Sequence, residues 1–401
     1  MSATAKPRLL VLASTYPRWV GDPEPAFVHL LASRLATEFD VVVLCPHARG
    51  AAKRELMDGV SVARYRYAPT SMEVLVNDGG IITNLRRRPW TMLLVPTFIL
   101  AQMWAAWRLL RSFRPDVVHA HWIIPQGLIV ALLGVFRRSA PPLLVTSHGA
   151  DLFALRGRWL TAIKRFVLRR AALTTVVSQA MRTEVLRLGI DAHRVRVEPM
   201  GVDLQGRFTV DEATQRSHGE LLFVGRLVEK KGLRVLLDAL PRIIEQRPEV
   251  TLTVDGFGPE AEALRLQAQR LGIADRVTFL GAVSQAELPA LYRRAAVFVA
   301  PFVQASSGDQ EGLGLVLVEA LACGCTVVAS DLPAVRDVSS LPDVPLRLVV
   351  PDDPDALAAC VLQTLQGSDR LGRPESVAQF DWSRRASAYA GLLRRMAEAR
   401  T

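Results

Sequence analysis

Leu221-Leu222-Phe223-Val224-Gly225-Arg226-Leu227-Val228-Glu229-Lys230-Lys231-Gly232 decides the fold. Four apolar residues in a row, closed at once by glycine, read as a strand covered on both faces, because a sheet with one wet face alternates apolar and polar side chains. The stretch from Leu233 onward has helical spacing. Strand, turn, helix is the repeating unit of an α/β sheet. The unit recurs toward the carboxyl terminus, with strand-like runs at Val250 to Val254, Val277 to Leu280, Val297 to Ala300, Thr326 to Ala329 and Leu346 to Val350. Toward the amino terminus the runs are 8–14, 41–45, 116–120, 143–147, 173–178 and 195–199, with an amphipathic helix near 24–38. Between the two series lies Asp203 to Gly219, polar and without clear period, which reads as an interdomain linker. The expected fold class is therefore α/β with two domains. Half of the 401 residues are hydrophobic, enough for two cores.

In open parallel sheets ligands collect beyond the carboxyl ends of the strands, so residues that follow strands are the candidates for chemistry. Arg226 and Lys231, five apart between a strand exit and a helix start, can converge on a diphosphate with the helix dipole added to them. Ordinary solvated charges at such a turn are the plainer reading. Further on, Gln310-Glu311-Gly312-Leu313-Gly314-Leu315-Val316-Leu317-Val318-Glu319 follows the strand that ends near Pro301. Glu319, among leucines and valines, is costly to bury unless something hydrogen-bonds it. Ribose hydroxyls would serve, and so would a core arginine. At about 1.5 Å per helical residue, Glu311 and Glu319 lie roughly 12 Å apart, which suits a sugar at one end of a diphosphate and a ribose at the other. Gly312 and Gly314 leave backbone N–H groups open to a phosphate.

In the first half, Thr146-Ser147-His148-Gly149-Ala150-Asp151 follows a strand. His148 can donate to a sugar hydroxyl or phosphate and Asp151 can accept from a hydroxyl, while either residue also serves as a structural group. His119 and His121 flank Ala120 and share one face of their strand, either the packed side or the ligand rim. Gly256-Phe257-Gly258-Pro259-Glu260 lacks the third glycine of a dinucleotide fingerprint, and Asp353-Pro354-Asp355 is sufficiently explained as a helix N-cap. No catalytic metal and no resident cofactor are expected.

Charge is uneven. Residues 1–200 hold 27 Lys and Arg against 13 Asp and Glu, whereas residues 201–401 hold 22 against 26. A field confined to one half favours a directed contact with an anionic surface or substrate, and no helix-turn-helix, zinc-finger or ribonucleoprotein motif accompanies it. Nucleic acid is therefore not expected as a partner, and an anionic membrane surface is a candidate. The stretch Leu85 to Pro115 is apolar between arginine clusters and is interrupted by Pro96 and Gln102. It reads as a bilayer span, as a helix covering the first sheet with a basic edge, or as an interfacial helix with Trp90, Trp104 and Trp107 at headgroup level and Arg86, Arg87, Arg88, Arg108 and Arg111 on phosphates. Cys45, Cys323, Cys325 and Cys360 contain no Cys-x-x-Cys and read as reduced thiols. The chain enters the run Leu9 to Ala13 without a long apolar leader, so a cytoplasmic protein is expected, peripheral on the inner face of the membrane if the basic half binds lipid.

Ser14-Thr15-Tyr16-Pro17, Asp116-Val117-Val118-His119-Ala120-His121-Trp122, His148-Gly149-Ala150-Asp151, Met200-Gly201-Val202-Asp203, Gly225-Arg226-Leu227 with Lys231-Gly232, Glu311 to Glu319, and Pro351-Asp352-Asp353-Pro354 follow one another along nearly the whole chain. In this order they resemble the retaining nucleotide-sugar glycosyltransferases of the GT-B fold, glycosyltransferase family 4. The resemblance implies two Rossmann-like domains facing across a cleft: residues 1–202 on the acceptor side, 203–378 for the donor nucleotide, and a last helix within 379–401 that crosses back to the first domain. It implies that Arg226 and Lys231 bind the donor diphosphate, Glu319 the ribose, and Glu311 with the backbone of Gly312, Leu313, Gly314 and Leu315 the transferred sugar. His148 would face the donor sugar and phosphate, with Asp151, His121 and Gly21 on the acceptor side. Two departures stand out. Gly21-Asp22-Pro23 replaces paired glycines after the first strand, and Pro333-Ala334 replaces Gly-Gly ahead of Asp337.

The expected function is transfer, with retention, of a sugar from a UDP- or GDP-type donor to a glycan or to a polyprenyl or other lipid-linked acceptor in cell-surface polysaccharide or glycolipid synthesis. A sugar-nucleotide epimerase of the same fold and a non-catalytic polysaccharide-assembly protein are the alternatives.

Overall fold

The computed structural model describes residues 6–22, 24–77, 80–135, 139–367 and 374–399, with the side chains of Ile82, Arg86 and Pro374 left undescribed. Pro23, the Arg86 side chain, Met1 to Ala5 and most of the loop Gly367 to Glu375 thus lie outside the described residues. The chain divides into two compact units: residues 1–177, 181–199 and 385–401 form one, and residues 178–180 and 200–384 the other.

Among the described residues the amino-terminal unit has eight strands: β1 Arg8–Leu12, β2 Asp40–Pro46, β3 Arg54–Met57, β4 Val60–Tyr65, β5 Val117–His121, β6 Leu143–Ser147, β7 Leu173–Val176 and β8 Val195–Val197. Their order is β3-β4-β2-β1-β5-β6-β7-β8. All neighbours are parallel except β3, which runs antiparallel to β4. The hairpin β3–β4 is absent from the sequence expectation. Its signal was present in Asp58-Gly59, whose φ angles of 46° and 79° suit a two-residue hairpin turn. The strands themselves are short and carry charged residues at Arg54, Glu55 and Arg64, so no apolar run marks them.

Leu85 to Pro115 supplies a helix that covers this sheet with one of its faces. Leu94, Phe98, Gln102, Ala106 and Leu110, spaced four residues apart, are its buried face. Phe98 packs edge-on against Tyr65 and Tyr67, with ring centroids 5.6 and 5.2 Å away. Pro96 falls in the first turn of Leu94–Ser112, where the missing N–H has no helical partner to lose, so it does not break the helix. Gln102 is fully buried.

Among the described residues the carboxyl-terminal unit has six strands, all parallel: β9 Glu220–Val224, β10 Thr251–Asp255, β11 Val277–Gly281, β12 Val297–Ala300, β13 Thr326–Ser330 and β14 Leu346–Val349. Their order, β11-β10-β9-β12-β13-β14, is the doubly wound one, which reverses direction between β9 and β12. β9 is buried along its whole length, as the apolar run Leu221 to Val224 requires, with Glu220 buried at its start. The helix Leu233–Gln246 lays Leu233, Leu236, Leu237, Leu240 and Ile243 on the core, each worth about 1.5–3 kcal/mol of burial. The segment Asp203 to Gly219, expected as a linker, is fastened to this unit. Arg293 donates to the carbonyls of Thr209 and Arg207, at 2.7 and 3.2 Å, and Arg216 to that of Ala295 at 2.8 Å.

Candidate functional site

In the carboxyl-terminal unit the crevice beyond the strand ends opens where β9 and β12 diverge, and the two loops that leave these strands meet there. Close approach of backbone makes this meeting depend on glycine. A Cβ on Gly232, at φ 69°, would sit 1.7 Å from the Pro301 carbonyl oxygen, and one on Gly256, at φ 143°, would sit 1.8 Å from that of Gly225.

Three consecutive side chains of the first loop then take partners in the second. Glu229 accepts from the Ser306 N–H at 2.7 Å and from its hydroxyl at 2.9 Å. The Lys230 ammonium is 3.2 Å from Asp309, and Lys231 Nζ is 2.8 Å from Glu311 Oε2. Lys231 also lies over the Phe302 ring, 4.7 Å from its centroid. Two of the residues singled out in the sequence, eighty positions apart, are therefore an ion pair. Burial alone would push the Glu311 carboxyl up, but the Lys231 and Lys230 ammoniums and the Gly312 N–H hold it down at about 2. Arg226 stands half-buried at the exit of β9.

The helix that carries Glu319 begins at Leu315, so the helical rise applies only from there and not from Glu311. Gly314, at φ 82°, is its N-cap, and no side chain caps it. The leading N–H groups and the dipole are thus presented to an anion. Glu319 finds its partner in a tyrosine and not in a core arginine: Tyr292 Oη donates to Glu319 Oε2 at 2.9 Å. Burial pushes the Glu319 carboxyl up to about 7, against the pull of the Tyr292 hydroxyl and of the Lys231 and Arg207 charges. Asp255, which ends β10 and accepts from the Val283 N–H at 2.9 Å, is pushed up to about 6 by burial. Tyr292, Asp255 and Phe302 had escaped sequence reasoning. Asp255 was findable as an acid closing an apolar strand, whereas nothing local marks the other two.

In the amino-terminal unit the corresponding divergence lies between β1 and β5. His121 ends β5, and its Nδ1 shares a 2.9 Å hydrogen bond with His148 Nε2, the two rings lying within 9° of parallel. His119 shares the same face, its ring centroid 4.1 Å from that of His121, and its Nε2 is 2.7 Å from the Thr146 hydroxyl. That face is the packed one, since His119 and His121 are 0% and 1% exposed. Burial pushes His119 and His148 down to about 3, and burial together with the neighbouring imidazoles takes His121 well below its usual value. All three rings are neutral at pH 7, so His148 acts as a hydrogen-bonding group rather than a cation. Phe27 and Trp122 flank it at 4.8 and 5.0 Å.

Asp151, expected on the acceptor side, holds two turns together. It is buried, with one oxygen 2.6 Å from the Ile123 N–H and the other 2.8 Å from the Ser147 hydroxyl, so it ties the turn after β5 to the turn after β6. Gly21, at φ 81°, has open space where a side chain would be. Its loop is shaped by Arg18, whose guanidinium forms a bidentate pair with Asp22 at 2.6 and 2.8 Å. Burial raises the Asp22 carboxyl, but the Arg18 contacts outweigh it and leave the group below the usual carboxylate range. Among the described residues no group of three His, Cys, Asp or Glu could hold a metal ion.

Comparison with known proteins covers both units. Residues 26–205 match the family model described as Glycosyltransferase Family 4, and residues 218–367 the one described as Glycosyl transferases group 1. The chain is 36% identical over 251 residues to a phosphatidyl-myo-inositol mannosyltransferase of Mycobacterium tuberculosis, covering 62% of each chain, so it spans less than two thirds of that relative's length. It is 32% identical over 279 residues to a GDP-mannose-dependent alpha-(1-6)-phosphatidylinositol monomannoside mannosyltransferase of the same species, covering 64% of this chain and 70% of the relative. Among solved structures, the sucrose-phosphate synthase of Thermosynechococcus elongatus superposes with a TM-score of 0.78 at 22% identity, covering 98% of this chain and all of that one. The two parallel-sheet α/β units are thus those of the GT-B architecture.

Proposed function

Because this chain belongs to glycosyltransferase family 4, we propose that it transfers a sugar from a UDP- or GDP-type nucleotide-diphosphate sugar to a glycan or lipid-linked acceptor, with retention of configuration and without a metal. The observation that carries the reading is the Lys231–Glu311 pair, held at the β9–β12 divergence with Glu319 nearby in sequence and coupled electrostatically to Lys231. A donor diphosphate takes over Lys231 and Arg226. Glu311 is then released to accept from hydroxyls of the transferred sugar, beside the N–H groups of Gly312 to Leu315. Glu319 receives the ribose, and within the amino-terminal unit His148 is proposed as a hydrogen-bonding group for a sugar hydroxyl or phosphate.

No protein base is required in this scheme. The leaving diphosphate takes the proton of the incoming hydroxyl, while the protein supplies position and positive charge. The relatives whose names specify phosphatidylinositol substrates support a lipid-linked acceptor. The four free cysteines agree with a cytoplasmic setting.

Titration calorimetry with UDP- and GDP-sugars tests the assignment. Lys231→Ala and Glu319→Ala are each expected to weaken donor binding by about ten- to a hundredfold, the range for losing a charge-assisted hydrogen bond, with no loss of folded structure. Unchanged affinity in both variants overturns the site. The anomeric configuration of the product, read by NMR, decides retention.

A further inference from the structure

The helical stretch Pro89–Ser112 is long and apolar enough to cross a membrane, yet its Leu94 to Leu110 face is fixed to the β2–β4 side of the amino-terminal sheet. Its other face is also apolar, and it is exposed. Trp90, Met92, Leu93, Leu100 and Trp104 are 44%, 62%, 78%, 59% and 60% exposed, a stripe that a solvated helix of a soluble protein would fill with polar residues. Residues 80–115 contain six arginines and no acidic residue. Exposed Arg87 and Arg88 lie before the stripe and exposed Arg108 and Arg111 at its far end. Arg111 rests on the Trp107 ring, 4.6 Å from its centroid, and Trp107 stacks on Trp104.

We infer that this face lies flat on a bilayer surface rich in anionic lipid, its tryptophans and leucines entering the headgroup boundary and its arginines pairing with phosphates. Charge complementarity selects this occupant. An apolar stripe bounded by arginines, with no carboxylate in the segment, suits lipid phosphate, and tryptophan is the side chain that favours this depth. Position agrees. Phe98 packs against Tyr65, the last residue of β4, so the first turns of the helix stand at the carboxyl edge of the parallel strands, the same edge that carries His121 and His148. A lipid-linked acceptor held in the bilayer would thus be presented on the edge that carries the histidines.

Co-sedimentation of the full chain with phosphatidylcholine vesicles, with and without phosphatidylglycerol, tests the inference without any turnover, so its failure leaves the sugar-transfer reading standing. The protein is expected to sediment with the anionic vesicles, to be released by salt, and to lose about fivefold in binding for each arginine removed in Arg108→Ala/Arg111→Ala. Leu100→Glu/Trp104→Glu should abolish binding at an unchanged melting temperature. Trp104→Phe, which preserves an aromatic ring, should lower the fluorescence quenching by brominated phospholipid, with Trp90 supplying the remainder. Binding that ignores lipid charge, no binding, or quenching indifferent to Trp104 overturns the inference. So does a dimer in analytical ultracentrifugation that Leu100→Glu/Trp104→Glu dissolves, because the face would then belong to a second copy.

Discussion

Glu319 carries its proton differently in the folded and open chains, and that difference sets how the donor site responds to pH. Its carboxyl moves from 4.5 to about 7 on burial. A carboxyl raised in this way contributes stability that is complete below the lower value and lost as pH rises through the upper one. A ribose hydroxyl donates more strongly to the carboxylate than to the acid, so donor binding favours the ionised form. Affinity for a nucleotide sugar, whose diphosphate does not itself titrate in this range, should rise about tenfold between pH 6 and pH 8 as that form fills. Glu319→Gln should bind more weakly and show no such rise. Calorimetry at three pH values checks this, and equal slopes in the two proteins would show that another group titrates. The cost of placing a carboxylate between Val318 and Ala320 was readable from the sequence, because an acid in an apolar helix demands a partner. The partner was not, since Tyr292 sits on another helix, 27 residues away. The Lys231–Glu311 pair spans 80 positions and was likewise legible only as two separate candidates.

Elements that bury one continuous apolar run, such as β9 or β13, announce themselves in sequence, and so the alternation of strand and helix was legible for most of both sheets. The hairpin β3–β4 was not, because an edge element shows solvent a charged face and its only strong mark is a two-residue turn. The last helix, Trp382–Glu398, is legible by its period but silent about its partner. From Arg385 onward it is counted with the amino-terminal unit, where Tyr389 is fully buried. The Tyr389 hydroxyl donates to the Glu198 carbonyl at 2.7 Å, its ring stacks 5.6 Å from His119, and Arg385 pairs with Glu198 at 3.1 Å. Removing the ring in Tyr389→Ala should cost about 3–5 kcal/mol, the range for large-to-small aromatic substitutions. Tyr389→Phe, which removes only the hydrogen bond, should cost about 1 kcal/mol. Denaturant titration of both variants separates packing from hydrogen bonding, and equal losses would mean that the hydroxyl and not the ring fastens the helix.

At the scale of the whole molecule the two units should part company on acidification, because their buried titratable groups are perturbed in opposite senses. His119, His121 and His148 of the amino-terminal unit are held neutral, well below the ordinary imidazole value. A group depressed in this way contributes stability that is complete above about pH 6.5 and lost as pH falls toward the folded value, at up to about 1.4 kcal/mol per pH unit for each ring. Asp151 in the same unit is raised by burial and offsets part of one ring's loss. In the carboxyl-terminal unit Asp255 and Glu319 are raised to about 6 and about 7, so lowering the pH from 7 toward 5 stabilises that unit relative to its open chain. Tryptophan fluorescence can tell the units apart, since Trp19, Trp90, Trp104, Trp107, Trp122 and Trp159 belong to the first and Trp382 alone to the second. Between pH 7.5 and pH 5.5 the fluorescence midpoint in urea should fall while far-ultraviolet circular dichroism resolves a second, later transition. Coincident transitions at both pH values would mean that the imidazole cluster is open to protonation in the folded chain.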